Sequence, residues 1–266
     1  MIAAEVRAEY SLIPTTRRGE ILLERRTIPA RDGLLGLVQT FKGSDTRTLI
    51  THRAFVLARV EVLDGNLSFP LYSETIQAPK RFLLALPPRS VLPMAFDRAN
   101  VYSEGVAGFS YPSITRPMLL ACNLNDTLID IEAVRRALRG SVLKQFDADT
   151  CVEPVIVRAR KLLHELIAHP APLRTAAKCV GIRSETLCRG FSNAYKLTPK
   201  QYCHRARLFE AVLCLMSGCT ILESALVAGF GDVKRFYVQF KRLLGTTPGP
   251  YVQVKKRQDI DPNNLL

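Results

Sequence analysis

The feature of this 266-residue chain that most constrains its fold is an internal repeat between residues 173 and 251. Six landmarks recur in the same order at an offset of 48 to 49 residues. In the first copy they are Leu173, Ala177, Gly181, Phe191, Thr198 and Tyr202, and in the second copy Ile221, Ala225, Gly229, Phe240, Thr247 and Tyr251. Because the two copies share their landmarks, we expect them to fold alike, and this sets the architecture of the region.

Each copy has the pattern of a helix-turn-helix. An apolar residue and a small Ala four positions apart lie on one face of a short helix. The Gly four residues later permits the positive φ of a tight turn between two helices. The second helix of each copy then carries two inward apolar residues, Leu187 and Phe191 in the first and Phe236 and Phe240 in the second. The repeat therefore predicts two helix-turn-helix motifs, at about residues 173–194 and 221–244.

The outward faces of the two second helices are polar and mostly basic, as a nucleic-acid interface requires. The candidate base-reading residues are Arg183, Ser184, Glu185, Cys188 and Arg189 in the first helix, and Asp232, Lys234, Arg235, Val238 and Gln239 in the second. The candidate phosphate-binding residues are Lys200, Arg205, Lys241 and Arg242. Arginine can read guanine and a carboxylate can read cytosine, whereas phosphate contacts only position the protein. A helical bundle without a nucleic-acid role is the alternative, and the basic faces disfavour it.

Three segments carry a resemblance to a known family. They are Gly229-Phe230 with Phe236 and Phe240 downstream, Thr247-Pro248, and Arg207-Leu208 before Ala211. With these segments the region resembles the C-terminal DNA-binding domain of the AraC/XylS family of bacterial transcription regulators. The resemblance covers about residues 152–253. It implies a sequence-specific regulator, an activator, whose partners are double-stranded DNA and RNA polymerase.

The chain departs from the pattern of that family at four positions. Arg183 and Gly231 stand where a Ser commonly opens each recognition helix, and Lys196 stands where a Gly usually precedes the first Thr-Pro. Val238 replaces a frequent basic residue, and Asp232 can serve as a shifted helix cap. We therefore expect the first recognition helix to carry most of the base discrimination and the second to bind mainly by charge.

The positive charge of the chain is concentrated in the repeated half. The net charge is +13 overall, and residues 152–257 hold 18 Lys and Arg against 6 Asp and Glu. A basic domain joined to a near-neutral one indicates a polyanionic partner. A membrane surface is a weaker candidate, because no amphipathic helix has a lipid-facing apolar side beside a basic flank. The expected partner is DNA, with no role at a membrane.

Other motifs that carry chemistry are missing from the sequence. The seven Cys form no Cys-x-x-Cys and no zinc-type cluster, which suits buried thiols in a reducing cytoplasm. No signal peptide and no apolar stretch of about 20 residues is found, so we predict a cytoplasmic protein. We predict no metal and no cofactor. An enzyme with an appended DNA-binding domain is a remote alternative, because no catalytic triad, paired acid motif or phosphate-binding Gly loop is present.

The N-terminal half has the rhythm of short strands. Apolar or alternating runs between residues 20 and 86 are separated by Asp32-Gly33, Lys42-Gly43-Ser44, Asp64-Gly65-Asn66 and Pro87-Pro88. The segment Asp64-Gly65-Asn66 predicts a hairpin turn. Beside the resemblance above, residues 20–115 are similar to the cupin-like β-barrel or jelly roll of many such regulators. A cupin metal site needs several His, and this half holds only His52, so we expect no metal there.

A helical region is expected over residues 124–146, beginning at Asp126 or Thr127. Apolar residues recur on one face of it at helical spacing: Leu128, Ile131, Val134, Leu138 and Val142. In the resembling family a helix here often forms a dimer interface. The stripe can equally cover the barrel, and the sequence leaves both interpretations open.

The sequence as a whole predicts an α+β protein. Residues 1–147 form a regulatory and dimerisation domain, and residues 152–253 an all-α domain whose two helix-turn-helix motifs are joined by a long helix that begins at Thr198-Pro199. At 1.5 Å per residue that helix spans roughly 25 to 27 Å. The N-terminal domain senses either a small molecule or, in the alternative reading, a regulatory protein such as a chaperone or anti-activator of the virulence or secretion type.

Overall fold

The computed structural model describes residues 22–28, 34–51, 53–108, 114–122, 130–244, 247–249 and 252. Within these ranges the N-terminal half is an antiparallel sheet and the C-terminal half is helical, so the predicted α+β class is confirmed. Four predictions lie outside the described residues: those for the turn at Asp32-Gly33, for His52, for Leu128 with the start of its helix, and for Tyr251.

Eight strands make one sheet in which every pairing is antiparallel. They are β1 (Leu22–Ile28), β2 (Leu35–Ile50), β3 (Phe55–Pro70), β4 (Thr75–Gln77), β5 (Arg81–Leu86), β6 (Val91–Gly108), β7 (Met118–Leu120) and β8 (Val142–Gln145). The order across the sheet is β1-β2-β6-β3-β5-β7-β8, and β4 pairs with β3. Among the described residues no pairing joins β1 to β8.

The predicted hairpin turn at Asp64-Gly65-Asn66 is wrong, because β3 continues through it. The strand pairs with β6 on both sides of this segment, with register shifts at Val62/Asp64 and Asp64/Asn66. Gly65 has φ +67, and a Cβ there would lie 2.2 Å from the carbonyl oxygen of Arg98 in β6. The glycine therefore permits a bulge inside a long strand. Gly43 accompanies a similar shift in β2.

The helix expected to run to residue 146 is shorter and is followed by a strand. Helix α1 spans Ile131–Leu138, capped by Asp130, whose carboxylate accepts a 2.7 Å bond from the N–H of Ala133. Val142 lies in β8, which pairs with β7, so it does not continue the helical stripe.

The stripe on α1 packs against the chain's own sheet. Val134 is fully buried in a cluster with Phe55 and Leu57 of β3, and Ile131 and Leu138 pack against that cluster. Of the proposed dimer residues that the structure describes, Val142 alone is exposed, at 53%. Burial of α1 favours the interpretation in which the stripe covers the sheet.

Six helices follow the sheet. They are α2 (Pro154–Glu165), α3 (Pro172–Val180), α4 (Ser184–Tyr195), α5 (Pro199–Met216), α6 (Ile221–Val227) and α7 (Val233–Leu244). One apolar cluster runs from the sheet into α2, α3, α4 and the start of α5, and a second joins α5, α6 and α7. No helix in the described part of the chain is both long and apolar enough to cross a membrane.

Candidate nucleic-acid interface

The first helix-turn-helix consists of α3 and α4. Gly181 ends α3 in the left-handed region at φ 77, and the N–H of Ile182 bonds to the carbonyl of Ala177 at 3.1 Å. Glycine adopts this conformation without steric cost, which allows the sharp turn into α4. Ala176 and Ala177 are buried against the neighbouring helices.

Helix α4 has the two faces that the sequence predicts. Leu187 and Phe191 are completely buried, and the Phe191 ring makes an edge contact with Tyr202 of α5 at a centroid distance of 5.4 Å. On the opposite side Arg183, Glu185 and Arg189 are exposed, and Ser184 and Cys188 are half-buried. Burial, and then the charge of Glu185, raise the pKa of the Cys188 thiol, so this residue offers a neutral contact.

The two ends of α4 carry the departures noted in the sequence. Arg183 occupies the N-cap position and makes no side-chain capping bond. Lys196 occupies the C-cap position in the left-handed conformation, at φ 57, where a glycine would be unstrained. The helix that is expected to read bases is therefore held mainly by its packing and not by its caps.

The second helix-turn-helix consists of α6 and α7. Gly229 has φ +75, and a Cβ on it would lie 2.4 Å from the Cα of Ala168, so both conformation and space require glycine. Phe236 and Phe240 are completely buried and stack edge to face at 5.3 Å. The opposite side of α7 carries the expected residues. Lys234, Arg235, Val238, Lys241 and Arg242 are exposed, and Gln239 is half-buried.

Asp232 caps α7 one position later than the Ser expected at the family position. Its carboxylate accepts a bond from the N–H of Lys234 at 2.9 Å, and its carbonyl accepts one from the N–H of Phe236 at 3.0 Å. An N-cap of this type stabilises a helix by about 1 kcal/mol. Asp232 therefore supplies the side-chain cap that Gly231 cannot supply, and its carboxylate lies at the N-terminal end of α7.

Helix α5 is the rigid connection between the motifs. Thr198 and Gln201 form a reciprocal capping box at its start, and Pro199 occupies its first turn. Its 18 residues span about 27 Å at 1.5 Å per residue. The helix begins at the predicted residues and has the predicted length, and Tyr202, Ala206 and Leu213 are buried on its inward face.

Lys200 and Arg205 on α5 have different environments. Lys200 is exposed, as a phosphate-binding residue should be. Arg205 donates a 2.6 Å hydrogen bond to the carbonyl of Thr48 in β2, and burial lowers its pKa. The Arg205 guanidinium therefore links α5 to the sheet, and its binding to phosphate stays a prediction.

A buried polar cluster, which sequence reasoning missed, ties the sheet to the first recognition helix. Arg160 of α2 donates to both carboxylate oxygens of Asp149, at 3.0 and 2.5 Å, and to the carbonyl of Arg89 at 2.9 Å. Tyr195, the last residue of α4, donates to the same carboxylate at 2.7 Å, and its carbonyl accepts a bond from Thr48 at 3.1 Å. No local signal reveals these contacts, because they join distant segments.

Within this polar cluster the Asp149 carboxylate stabilises the charged form of Arg160. Burial by itself would lower the pKa of Arg160, but the hydrogen-bonded Asp149 carboxylate raises it above its ordinary value. Burial and then Asp149 raise the pKa of Tyr195. Both Arg160 and Tyr195 therefore keep their protons across the physiological range.

Beside the polar cluster lies a cleft of about 360 Å³ between the sheet and α2. Its walls include Arg89, Arg116, Asp149, Arg160 and Lys161. This volume lies at the low end of the range for small-molecule sites, and most of the residues that line the cleft are polar or charged. Among the described residues no group of three or more His, Cys, Asp or Glu could hold a metal ion.

Tyr237, which sequence reasoning also missed, is an exposed aromatic residue on α7, at 37%. It lies three and four positions from Lys234 and Lys241, and therefore on their side of the helix. That spacing is the signal that could have identified it.

Comparison with known proteins supports the assignment of the helical half. Residues 176–253 match the family model described as a helix-turn-helix domain, and this domain is of the AraC type. The comparison with curated proteins found no match.

Several solved structures are similar to this chain. ToxT from Vibrio cholerae is 12% identical over 82% of this chain and 97% of its own, with a TM-score of 0.45. The DNA-binding domain of AdpA, solved in complex with a target DNA, is 21% identical over 41% of this chain and 98% of its own, with a TM-score of 0.37. An AraC-type transcriptional regulator from Chromobacterium violaceum is 24% identical over 41% of this chain and 95% of its own, with a TM-score of 0.35.

Proposed function

We propose that this chain is a sequence-specific transcription activator governed by its N-terminal domain. The premise is that residues 176–253 form a helix-turn-helix domain of the AraC type, the domain of a DNA-binding transcription regulator. The observation that carries this proposal is the pair of helices α4 and α7. Each helix buries an apolar face and exposes a basic face, and the 18-residue α5 joins them.

The spacing of these helices suits two successive major grooves. One turn of the duplex measures about 34 Å, and α5 is about 27 Å long. A rod slightly shorter than the repeat, with one recognition helix near each end, would let both helices meet the same side of the duplex. Arg183, Glu185 and Arg189 then serve as base-reading groups, and Lys200, Lys241 and Arg242 as phosphate contacts.

The experiment is a binding-site selection with the full-length chain, followed by a salt titration on the selected duplex. If about six phosphates are neutralised, affinity falls by about three decades between 50 and 200 mM salt. A selected consensus with two half-sites about one helical turn apart is the expected result. Failure to bind any duplex at low salt would refute the proposal.

The sheet domain is proposed to control DNA binding through its contact with α4. Thr48 and Asp149 hold the final residue of that helix, and Arg160 links the same contact to the cleft. A molecule in the cleft would therefore act on the first recognition helix directly. The cleft favours a small-molecule effector over a regulatory protein, and recruitment of RNA polymerase completes the proposed activation.

Native mass spectrometry of the chain purified from its host cytoplasm tests the effector. The expected result is an added mass that disappears on denaturation and is lost in the variant Arg116→Glu/Lys161→Glu, whose two side chains line the cleft. A matched variant at a residue of α7 that does not line the cleft, Lys241→Glu, should keep the added mass. Co-purification of a protein in place of a small molecule would support control by a partner protein.

We also propose that the chain forms a homodimer through β8. This strand lies at the end of the sheet, and its outer edge pairs with no other described strand. Val142 and Leu143 are 53% and 49% exposed on its two faces. Two copies of an edge strand can pair in antiparallel fashion about a two-fold axis. Of the stripe expected from the sequence, Val142 therefore remains in the proposed interface, and Val134 does not.

A further inference from the structure

The turn between α5 and α6 brings two cysteines together. Ser217 caps α5, and Gly218 follows in the left-handed conformation at φ 96. The N–H of Gly218 bonds to the carbonyl of Leu215 at 3.1 Å, and the N–H of Cys219 bonds to the carbonyl of Cys214 at 3.0 Å. This pair of bonds defines the Schellman motif, in which the side chains at the positions of Cys214 and Cys219 meet.

The geometry of this motif fits a disulfide. A direct backbone hydrogen bond keeps the two Cα atoms within the range of about 4.4 to 6.8 Å that disulfides span. The Cys219 thiol also lies near enough to Cys214 to raise the pKa of the Cys214 thiol. Both residues are free and half-buried, so a small reagent in solution can reach them.

We propose that Cys214 and Cys219 form a reversible disulfide, which makes the α5–α6 turn a site of oxidative modification. The co-reactant is a low-molecular-weight disulfide such as oxidised glutathione. The Cys219 thiolate attacks one sulfur of the reagent, the S–S bond of the reagent breaks, and one reduced thiol leaves with a proton from solution. The Cys214 sulfur then attacks the mixed disulfide, loses its proton, and releases the second reduced thiol. The protein loses two electrons and two protons, and the reagent gains them.

The order of attack follows from the surroundings of the two thiols. Burial, and then the nearby Cys219 thiol, raise the pKa of Cys214 to about 11. Cys214 is therefore protonated at neutral pH and acts second, at the short distance that the turn provides. Cys219 lies outside the helix, next to the exposed Thr220, and acts first.

Oxidation at this turn would act on the second helix-turn-helix, a consequence that rests on the proposed function. Cys219 is bonded to Thr220, the N-cap of α6, whose capping box with Glu223 fixes the helix start. A covalent S–S bond of about 2.05 Å is shorter than any thiol–thiol contact, so it draws Cys219 and the start of α6 toward α5. We expect α7 to shift with α6 and the affinity for DNA to fall roughly tenfold, the equivalent of one good base contact.

The pairing is tested on the full-length chain after treatment with oxidised glutathione and alkylation of the remaining thiols. Cleavage after Arg207 and Lys234 releases both cysteines in one peptide. The expected peptide is lighter by two hydrogen atoms and carries no alkyl group, and dithiothreitol restores two alkylation sites. Cys214→Ser and Cys219→Ser should each abolish the lighter species, and Cys179→Ser, at an exposed cysteine of α3, should retain it. A doubly alkylated peptide after oxidation overturns the proposal.

The effect on DNA is measured with the selected duplex, first with the reduced chain. Failure of the reduced chain to bind refutes the proposed function and leaves the peptide result to decide on the disulfide alone. If the reduced chain binds, oxidation should weaken binding roughly tenfold in the parent and in Cys179→Ser, but not in Cys214→Ser. An oxidised parent that binds as tightly as the reduced parent overturns the regulatory effect.

Discussion

At the scale of single residues, Lys196 is a point of local backbone strain. Lys196 is in the left-handed region at φ 57, where a non-glycine residue costs about 1 kcal/mol or more. It ends the helix proposed to read the first groove, and its side chain is exposed. Its backbone N–H donates to the carbonyl of Ser192 at 3.0 Å, so the residue keeps the C-cap bond of α4 at the cost of the left-handed conformation.

Lys196→Gly should raise the free energy of unfolding by about 1 kcal/mol, because glycine removes the left-handed strain. Urea denaturation of the full-length chain provides the measurement. Lys196→Ala is the control, since alanine keeps the Cβ and should leave stability nearly unchanged. A gain of the same size with alanine would mean that loss of the charge, and not relief of strain, is responsible.

Another single residue, Glu210 of α5, makes the free energy of unfolding depend on pH. It is buried, and Arg53 lies 3.5 Å from its carboxylate. Burial raises the pKa of Glu210 above its ordinary value of 4.5, and Arg53 opposes this effect. Because the folded chain disfavours the charged form, the contribution of Glu210 to stability is largest below pH 4.5. It is lost as the pH rises through the raised pKa.

Glu210→Gln should therefore be more stable than the parent at neutral pH, and the difference should shrink as the pH falls toward 4.5. Urea midpoints over this range provide the test. Glu223→Gln should behave in the opposite way, because hydrogen bonds from Thr220 lower the pKa of Glu223 and its contribution is lost as the pH falls. Equal pH profiles for Glu210→Gln and the parent would contradict the assignment.

At the scale of elements, α4 and α7 are copies of one motif with different surfaces. Arg183, Glu185 and Arg189 can make directional bonds on α4. Val238, 63% exposed at the centre of the outward face of α7, offers only apolar contact. A valine can touch a thymine methyl but cannot distinguish bases by hydrogen bonds. That α4 discriminates between bases and α7 binds by charge therefore stays a prediction.

Arg189→Ala should cost about 1 to 3 kcal/mol in binding and relax the preference at one base position. Lys234→Ala should weaken binding to all duplexes alike and lower the salt slope by about one. Binding-site selection on both variants and the parent provides the comparison. A changed consensus with Lys234→Ala and an unchanged one with Arg189→Ala would reverse the assignment of the two helices.

At the scale of the whole molecule, the sheet and the helices share contacts that neither half contains alone. Arg205 and Thr48 are 157 positions apart, and their 2.6 Å bond fixes α5 on β2. The same threonine holds the end of α4. One strand of the sheet thus contacts both the rod and the first recognition helix.

Arg205→Ala should lower the free energy of unfolding by about 1 to 3 kcal/mol, because it leaves a buried carbonyl without its donor. The salt slope of DNA binding should stay the same. Lys200→Ala, on the same helix, is the matched control, and it should lower the slope by about one without loss of stability. A lower salt slope of DNA binding in Arg205→Ala would instead support a phosphate-binding role for Arg205.

Leu143→Asp should convert the proposed dimer into monomers with an unchanged circular dichroism spectrum, because the side chain is exposed on the edge strand. Val134→Asp should instead unfold the sheet domain, since Val134 is completely buried. Sedimentation of both variants provides the measurement. A dimer that survives Leu143→Asp would exclude β8 as the interface.

The sequence by itself determined the helix-turn-helix repeat, the turn glycines, the rod with its Thr-Pro start, and which faces of α4 and α7 are buried. Each of these depends on residues within about one or two helical turns, where spacing, caps and φ preferences decide the result. Only the tertiary structure decided that β3 passes through Asp64-Gly65-Asn66, that α1 covers the sheet, and that Arg205 binds Thr48. In these cases several local conformations are compatible with the residues. The choice is made by a partner far away in the chain: β6 opposite Gly65, the β3 cluster beneath Val134, and β2 beside α5.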